Sequence, residues 1–84
     1  MQRVLAGIAQ NNFVVLGRAG MDFFPDPPGT KTEEADTFKA GLGGSSANIA
    51  AGLVKLGGQA ALVTSVSDDS VGRYCLRQLQ NYGV

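Results

Sequence analysis

Gly43-Gly44-Ser45-Ser46-Ala47-Asn48, running on into Ile49-Ala50-Ala51-Gly52-Leu53-Val54-Lys55-Leu56, is the stretch from which the fold is read. Ile49, Leu53 and Leu56 recur at helical spacing, and Ala47, Ala50, Ala51 and Gly52 keep one face slim enough to lie close to a sheet. Gly57 and Gly58 stop the helix as C-terminal glycines do. A helix start leaves backbone N–H groups unpaired and carries partial positive charge. Ser45 or Ser46 is expected to cap one of those donors. Gly43 and Gly44 lack the Cβ atoms that would hold a ligand away from the backbone. The six residues at the start therefore read either as a polar cradle for hydroxyls or an anion, or as a helix cap after a tight turn.

Upstream, Phe13-Val14-Val15-Leu16 is an apolar run closed by Gly17 and reads as a buried strand. Residues 23–30 contain Pro25, Pro27, Pro28 and Gly29, which exclude helix and predict a loop or edge excursion. Over residues 31–42, Thr32, Thr37, Phe38 and Leu42 favour short exposed strand pieces over the helical turn that Glu33-Glu34-Ala35 could start. Downstream, residues 60–66 form a second buried strand. Ser67-Asp68-Asp69 offers caps for a second helix. Val71, Cys75, Leu79 and Tyr82, with Leu76 beside them, form its inner stripe, and Gly83 ends it. Buried strands alternating with helices predict a parallel α/β sheet. Two main strands do not complete such a sheet. The expectation is thus a tail over 1–12 and, over 13–84, the N-terminal part of a larger domain with a lid excursion at about 23–42.

Composition narrows the partners. The chain has 84 residues and no net charge, which gives no sign of a nucleic-acid or anionic-membrane partner. A chain this short buries only about 60–65% of its unfolded surface and is marginal unless supported. It has no His and one Cys, Cys75, so a disulfide framework and a Cys/His zinc site within the chain are excluded. A lone thiol among helix formers fits a small core residue in a reducing cytoplasm. No stretch approaches the ~18 apolar residues of a membrane span, and the short apolar run at Val4–Ala9 has no convincing cleavage site for a secretory signal.

In open α/β sheets ligands collect outside the carboxyl ends of the strands. Asp22 follows the first strand and the Gly43–Asn48 cradle opens the next helix at the same rim. A carboxylate accepts hydrogen bonds, an amide donates and accepts, and backbone N–H groups donate. That set suits a polyhydroxylated small molecule, with the Pro-rich excursion as its lid; Asp22 reads otherwise as a solvated turn residue. If the chain stays extended, Arg18, Gly20 and Asp22 point to one side. The Gly-x-x-x-x-Gly-Lys-Ser/Thr motif is absent, and Gly17-Arg18-Ala19-Gly20 lacks the third glycine of the dinucleotide fingerprint. Asp68-Asp69 reads as a cap in preference to a metal pair.

These residues resemble the N-terminal region of the ribokinase-like (PfkB) carbohydrate kinases. The first-strand Val-Val-Leu-Gly followed by Asp22, Gly-Gly-x-x-x-Asn at 43–48, and the Ala50, Gly57, Asp69 and Gly72 spacing carry the likeness. Residues 17–22, the Asp-Pro-Pro-Gly-Thr excursion and residues 66–69 look like the members that phosphorylate 5-dehydro-2-deoxy-D-gluconate in inositol catabolism. Sibling kinases of 2-keto-3-deoxygluconate, fructose or a nucleoside, and a non-catalytic sugar-binding module, are the alternatives. The resemblance implies a Rossmann-type parallel sheet with a small β lid. It also implies sugar binding by Asp22, Gly43, Gly44 and Asn48, and transfer of the ATP γ-phosphate with Mg2+. It implies lids that pair between two copies in a homodimer. The family's catalytic Asp and ATP pocket lie downstream, so no catalytic residue falls here and the 84 residues alone are expected to be inactive. Gly20 departs from the sugar-binding Asn of several relatives. Because the implied substrate is an acid, Arg18 is expected either to grip its carboxylate or to pair with Glu33, Glu34 or Asp36 at the sheet edge.

Overall fold

The structure, a computed structural model, describes residues 12–84. The expected N-terminal tail lies outside the described residues up to position 11, while Asn12 already belongs to the first strand. In chain order the elements are β1 (Asn12–Leu16), β2 (Gly20–Asp26), a 3-10 turn (Thr32–Glu34), β3 (Thr37–Gly43), α1 (Ser45–Lys55), β4 (Gln59–Val63) and α2 (Ser70–Tyr82).

Two small sheets result. β1 and β4 run parallel in the register Asn12↔Gln59 to Leu16↔Val63, with α1 as part of the crossover between them. β2 and β3 form an antiparallel ribbon from Gly20↔Gly43 to Asp26↔Thr37. The excursion is therefore more regular than its prolines suggested. β2 runs through Pro25, which a two-stranded ribbon tolerates because every strand in it is an edge. Of residues 31–42, only those from Thr37 onward are strand; Thr32–Glu34 make the short turn.

The strands are half-covered. α1 packs on the face of β1 and β4 that carries Phe13, Val15, Ala60 and Leu62, while α2 goes to the ribbon. Val14 and Leu16 are each 72% exposed, and Val63 is 55% exposed. Within these 84 residues one helix covers one face of the strand pair and the other face is bare. The core is correspondingly small. Ala19, Ala47 and Leu79 meet at its centre, with Leu42, Leu62, Val66 and Val84 packed around them. The inner stripe of α2 is narrower than its spacing predicts: Cys75 and Leu79 are buried, but Val71, Leu76 and Tyr82 are exposed.

Both helices stop at glycine. Gly57 takes φ +95°, with its N–H on the Val54 carbonyl and that of Gly58 on Leu53. Gly83 does the same for α2, where the Val84 N–H reaches Leu79 at 2.9 Å.

Candidate functional site

The site is built where β1 ends, the ribbon begins and α1 starts. Ala19 is anchored in the core. On its two sides the backbone turns around close contacts that only glycine permits. Gly44 has φ +92°, and a Cβ there would collide with the Arg18 carbonyl. A Cβ at Gly17 would collide with the Ser46 hydroxyl. The exit of β1 and the start of α1 are thereby held together, by backbone at Gly44 and by the Ser46 side chain at Gly17.

The serine cap expected at the head of α1 is not made. Gly44 occupies the N-cap and no side chain caps the helix. Its carbonyl accepts the first helical bond, from the Asn48 N–H at 3.1 Å. Ser45 and Ser46 are already inside the helix, past the position from which a hydroxyl reaches the next turn. Ser46 Oγ instead donates to the Leu16 carbonyl at 3.1 Å and ties the helix to the end of β1. No side chain therefore takes up the first N–H groups of α1.

Asp22 projects from β2 on the face shared by Gly20, Phe24 and the partner residues Gly41 and Gly43. Its carboxylate lies over Gly43, in the space a side chain at 43 would fill. Arg18 lies over the neighbouring glycine: a Cβ built at Gly20 would stand 3.1 Å from its Nη2 and 3.6 Å from Cζ. Gly20 and Gly43 are register partners, so the two charged groups share one recess. Asn48, one turn into α1, is exposed, and no hydrogen bond joins its amide to Asp22. Phe24 was not foreseen as part of this surface, although it has the same parity along the strand as Asp22. Its ring lies over Gly41, where a Cβ would stand 2.9 Å from Cε2. A separate groove of about 360 Å³, lined in part by Met21, Phe23, Arg73 and Tyr74, lies on the other face of the ribbon and is not this site.

The cap predicted for the second helix is made in full. Asp69 Oδ1 accepts from the Gly72 N–H at 2.9 Å and from Ser67 Oγ at 2.6 Å. The Ser67 hydroxyl, then the Gly72 N–H, hold its carboxyl below the usual carboxylate range.

The architecture is thus a crossover α/β unit with a β ribbon folded beside a glycine-opened helix start. The sequence pattern of the pfkB family carbohydrate kinases matches residues 10–84, and the chain belongs to that family. It is 39% identical over 71 residues to the 5-dehydro-2-deoxygluconokinase of Clostridium tetani, which covers 84% of this chain and 21% of that enzyme. Among solved structures it is similar to the 2-dehydro-3-deoxygluconokinase of Thermotoga maritima (TM-score 0.80, 29% identity, 87% of this chain and 22% of that one). It is also similar to the fructokinase of Halothermothrix orenii (TM-score 0.73, 29% identity, 87% of this chain and 26% of that one). The chain thus spans about a fifth of the length of the curated relatives it matches. The expected ribokinase-like fold, a parallel α/β sheet with a β lid, stands.

Proposed function

We propose that this chain is the sugar-binding part of an ATP-dependent carbohydrate kinase acting on 5-dehydro-2-deoxy-D-gluconate, in the cytoplasm and in inositol catabolism. The observation that carries the reading is the Asp22 carboxylate over Gly43, beside a helix start that no side chain caps. There Asp22 accepts hydrogen bonds from sugar hydroxyls, the uncapped N–H groups behind Gly43 and Gly44 donate to sugar oxygens, and Asn48 does both. The β2–β3 ribbon serves as the lid and pairs with that of a second copy in a homodimer. Among the alternatives, the 39% identity to a 5-dehydro-2-deoxygluconokinase favours that substrate over those of the kinases matched at 29%.

ATP supplies the phosphoryl group. We assign it and Mg2+ to sequence outside these 84 residues, as the likeness to the carbohydrate kinases implies. No phosphate-cradling Gly-Lys loop is present in the chain.

The test uses a kinase of the relatives' full length that carries these 84 residues at its amino end. Asp22→Ala is expected to raise KM for the sugar about 10- to 100-fold, and Asn48→Ala about 2- to 10-fold, with KM for ATP little changed. Equal losses for sugar and ATP would move both residues out of the sugar site. The 84-residue chain assayed alongside is expected to transfer no phosphate; transfer by it would overturn the assignment of ATP elsewhere.

A further inference from the structure

We infer that Arg18 selects a carboxylate-bearing sugar, and that position 20 is glycine so that the guanidinium can lie across it. The inference rests on the sugar-kinase reading above and adds which end of the substrate is read by which residue. The Arg18 backbone is fixed: its carbonyl packs against Gly44 and the next residue is held in the core. Its side chain is exposed and crosses the Gly20 backbone, with Nη2 nearest. Among the described residues it makes no ion pair with Glu33, Glu34 or Asp36, nor with Asp22.

Arg18 and Asp22 therefore stand over two register-paired glycines whose Cα atoms are about 5 Å apart. Two opposite charges in one recess, neither neutralising the other, suit a ligand that presents complementary groups to each. The carboxylate Asp22 takes hydroxyl donors. The guanidinium takes a planar anion through two parallel N–H bonds, a geometry that a carboxylate matches and a hydroxyl does not. A small hydroxy acid carries both groups within a few bonds; a neutral sugar leaves Arg18 without a partner. Gly20 is then a positioning residue. A methyl group there meets the flexible end of Arg18 and not the backbone, so it displaces the guanidinium at little cost in stability.

The experiment compares the full-length kinase with its Arg18→Met, Arg18→Lys and Gly20→Ala variants on 5-dehydro-2-deoxygluconate and on the analogue whose carboxylate is reduced to an alcohol. Arg18→Met is expected to lower kcat/KM on the acid about 10- to 100-fold and on the alcohol no more than about 3-fold. Arg18→Lys, which keeps the charge but not the fork, falls between. Gly20→Ala is expected to lose several-fold on the acid alone with an unchanged melting temperature, a split that a merely structural glycine would not give. Equal losses on acid and alcohol from Arg18→Met, in a parent that phosphorylates the acid, would overturn the assignment of Arg18 and leave the kinase reading intact. A parent that phosphorylates neither compound would overturn the kinase reading and this inference with it.

Discussion

The two helices of this chain begin in opposite ways. α2 starts behind Asp69, whose carboxylate is engaged by the Ser67 hydroxyl and the Gly72 N–H. α1 starts behind Gly44, with no side-chain cap and with its serines turned away. The first start is closed: its acceptor is already matched by one donor from its loop and one from the helix's first turn. The second is open, and the nearest carboxylate, Asp22, is held over Gly43 instead of folding back onto the helix. The open start is instead held by the close contacts that Gly44 makes with the Arg18 backbone and Gly17 with the Ser46 side chain. The difference teaches that a helix start is not a binding site by virtue of its dipole alone. Here the distinguishing feature is what the chain has left unused.

The harshest way to break the comparison is Gly44→Ala. The left-handed backbone would cost about 1–3 kcal/mol in a non-glycine residue, and the added methyl group would also push against the Arg18 carbonyl. Because that neighbour is backbone, it cannot swing aside. A clear drop in the melting temperature of the full-length kinase is expected, together with loss of sugar binding, since the Arg18 segment would move. An unchanged melting temperature would show that the packing of Gly44 on Arg18 does not hold the site.

Much of this was legible in the sequence, for identifiable reasons. The period of Ile49, Leu53 and Leu56, the Gly57-Gly58 stop and the Ser67–Asp69 cap are local signals, and local signals place helices well. The placing of Asp22 and Gly43 on one rim followed from the order of strands and helices. The serine cap failed because the hydroxyl of Ser46 finds its acceptor 30 residues earlier in the chain, at Leu16, and no local rule contains that partner. The continuous apolar runs of β1 and β4 signalled burial on both faces. Within these 84 residues α1 takes one of those faces and α2 packs on the ribbon, so the face of Val14, Leu16 and Val63 is bare here. Phe24 was passed over because a strand containing Pro25 does not look like one that projects side chains regularly.

A milder intervention opens the closed start. Asp69→Ala removes the acceptor for the Gly72 N–H, and a fall of roughly 1–3 °C in the melting temperature of the full-length kinase is expected. Asp69→Asn should retain most of the effect, since an amide oxygen still accepts. The sign of the pH dependence follows from the lowered folded-state value. The contribution of Asp69 is fully present above the unfolded carboxylate value near pH 4 and fades as the pH falls through the lower folded value. Asp69→Ala should therefore differ most from the parent at neutral pH and converge with it on acidification. Sugar KM should stay put, in contrast to Asp22→Ala. A rise in sugar KM on cutting Asp69 would mean that the two helix starts are not separate in function.

The smallest expected effect separates the two serines at the open start. Ser46 donates to the Leu16 carbonyl, whereas Ser45 is exposed and makes no side-chain hydrogen bond among the described residues. Ser46→Ala should cost about 0.5–1 kcal/mol, the worth of one neutral hydrogen bond at a partly exposed place. Ser45→Ala should fall within about 0.5 kcal/mol of zero. Were either serine a true cap, its removal would fray the first turn of α1, and hydrogen exchange at the Ala47 and Asn48 amides would quicken. A tie to β1 predicts otherwise: the helix keeps its first turn, because Gly44 supplies the N-cap carbonyl in both variants, while the junction between Leu16 and α1 loosens. Denaturant melts of the two alanine variants, read with amide exchange at positions 47 and 48, distinguish these outcomes. Faster exchange at those amides in Ser45→Ala would restore the cap and close the helix start that this reading leaves open.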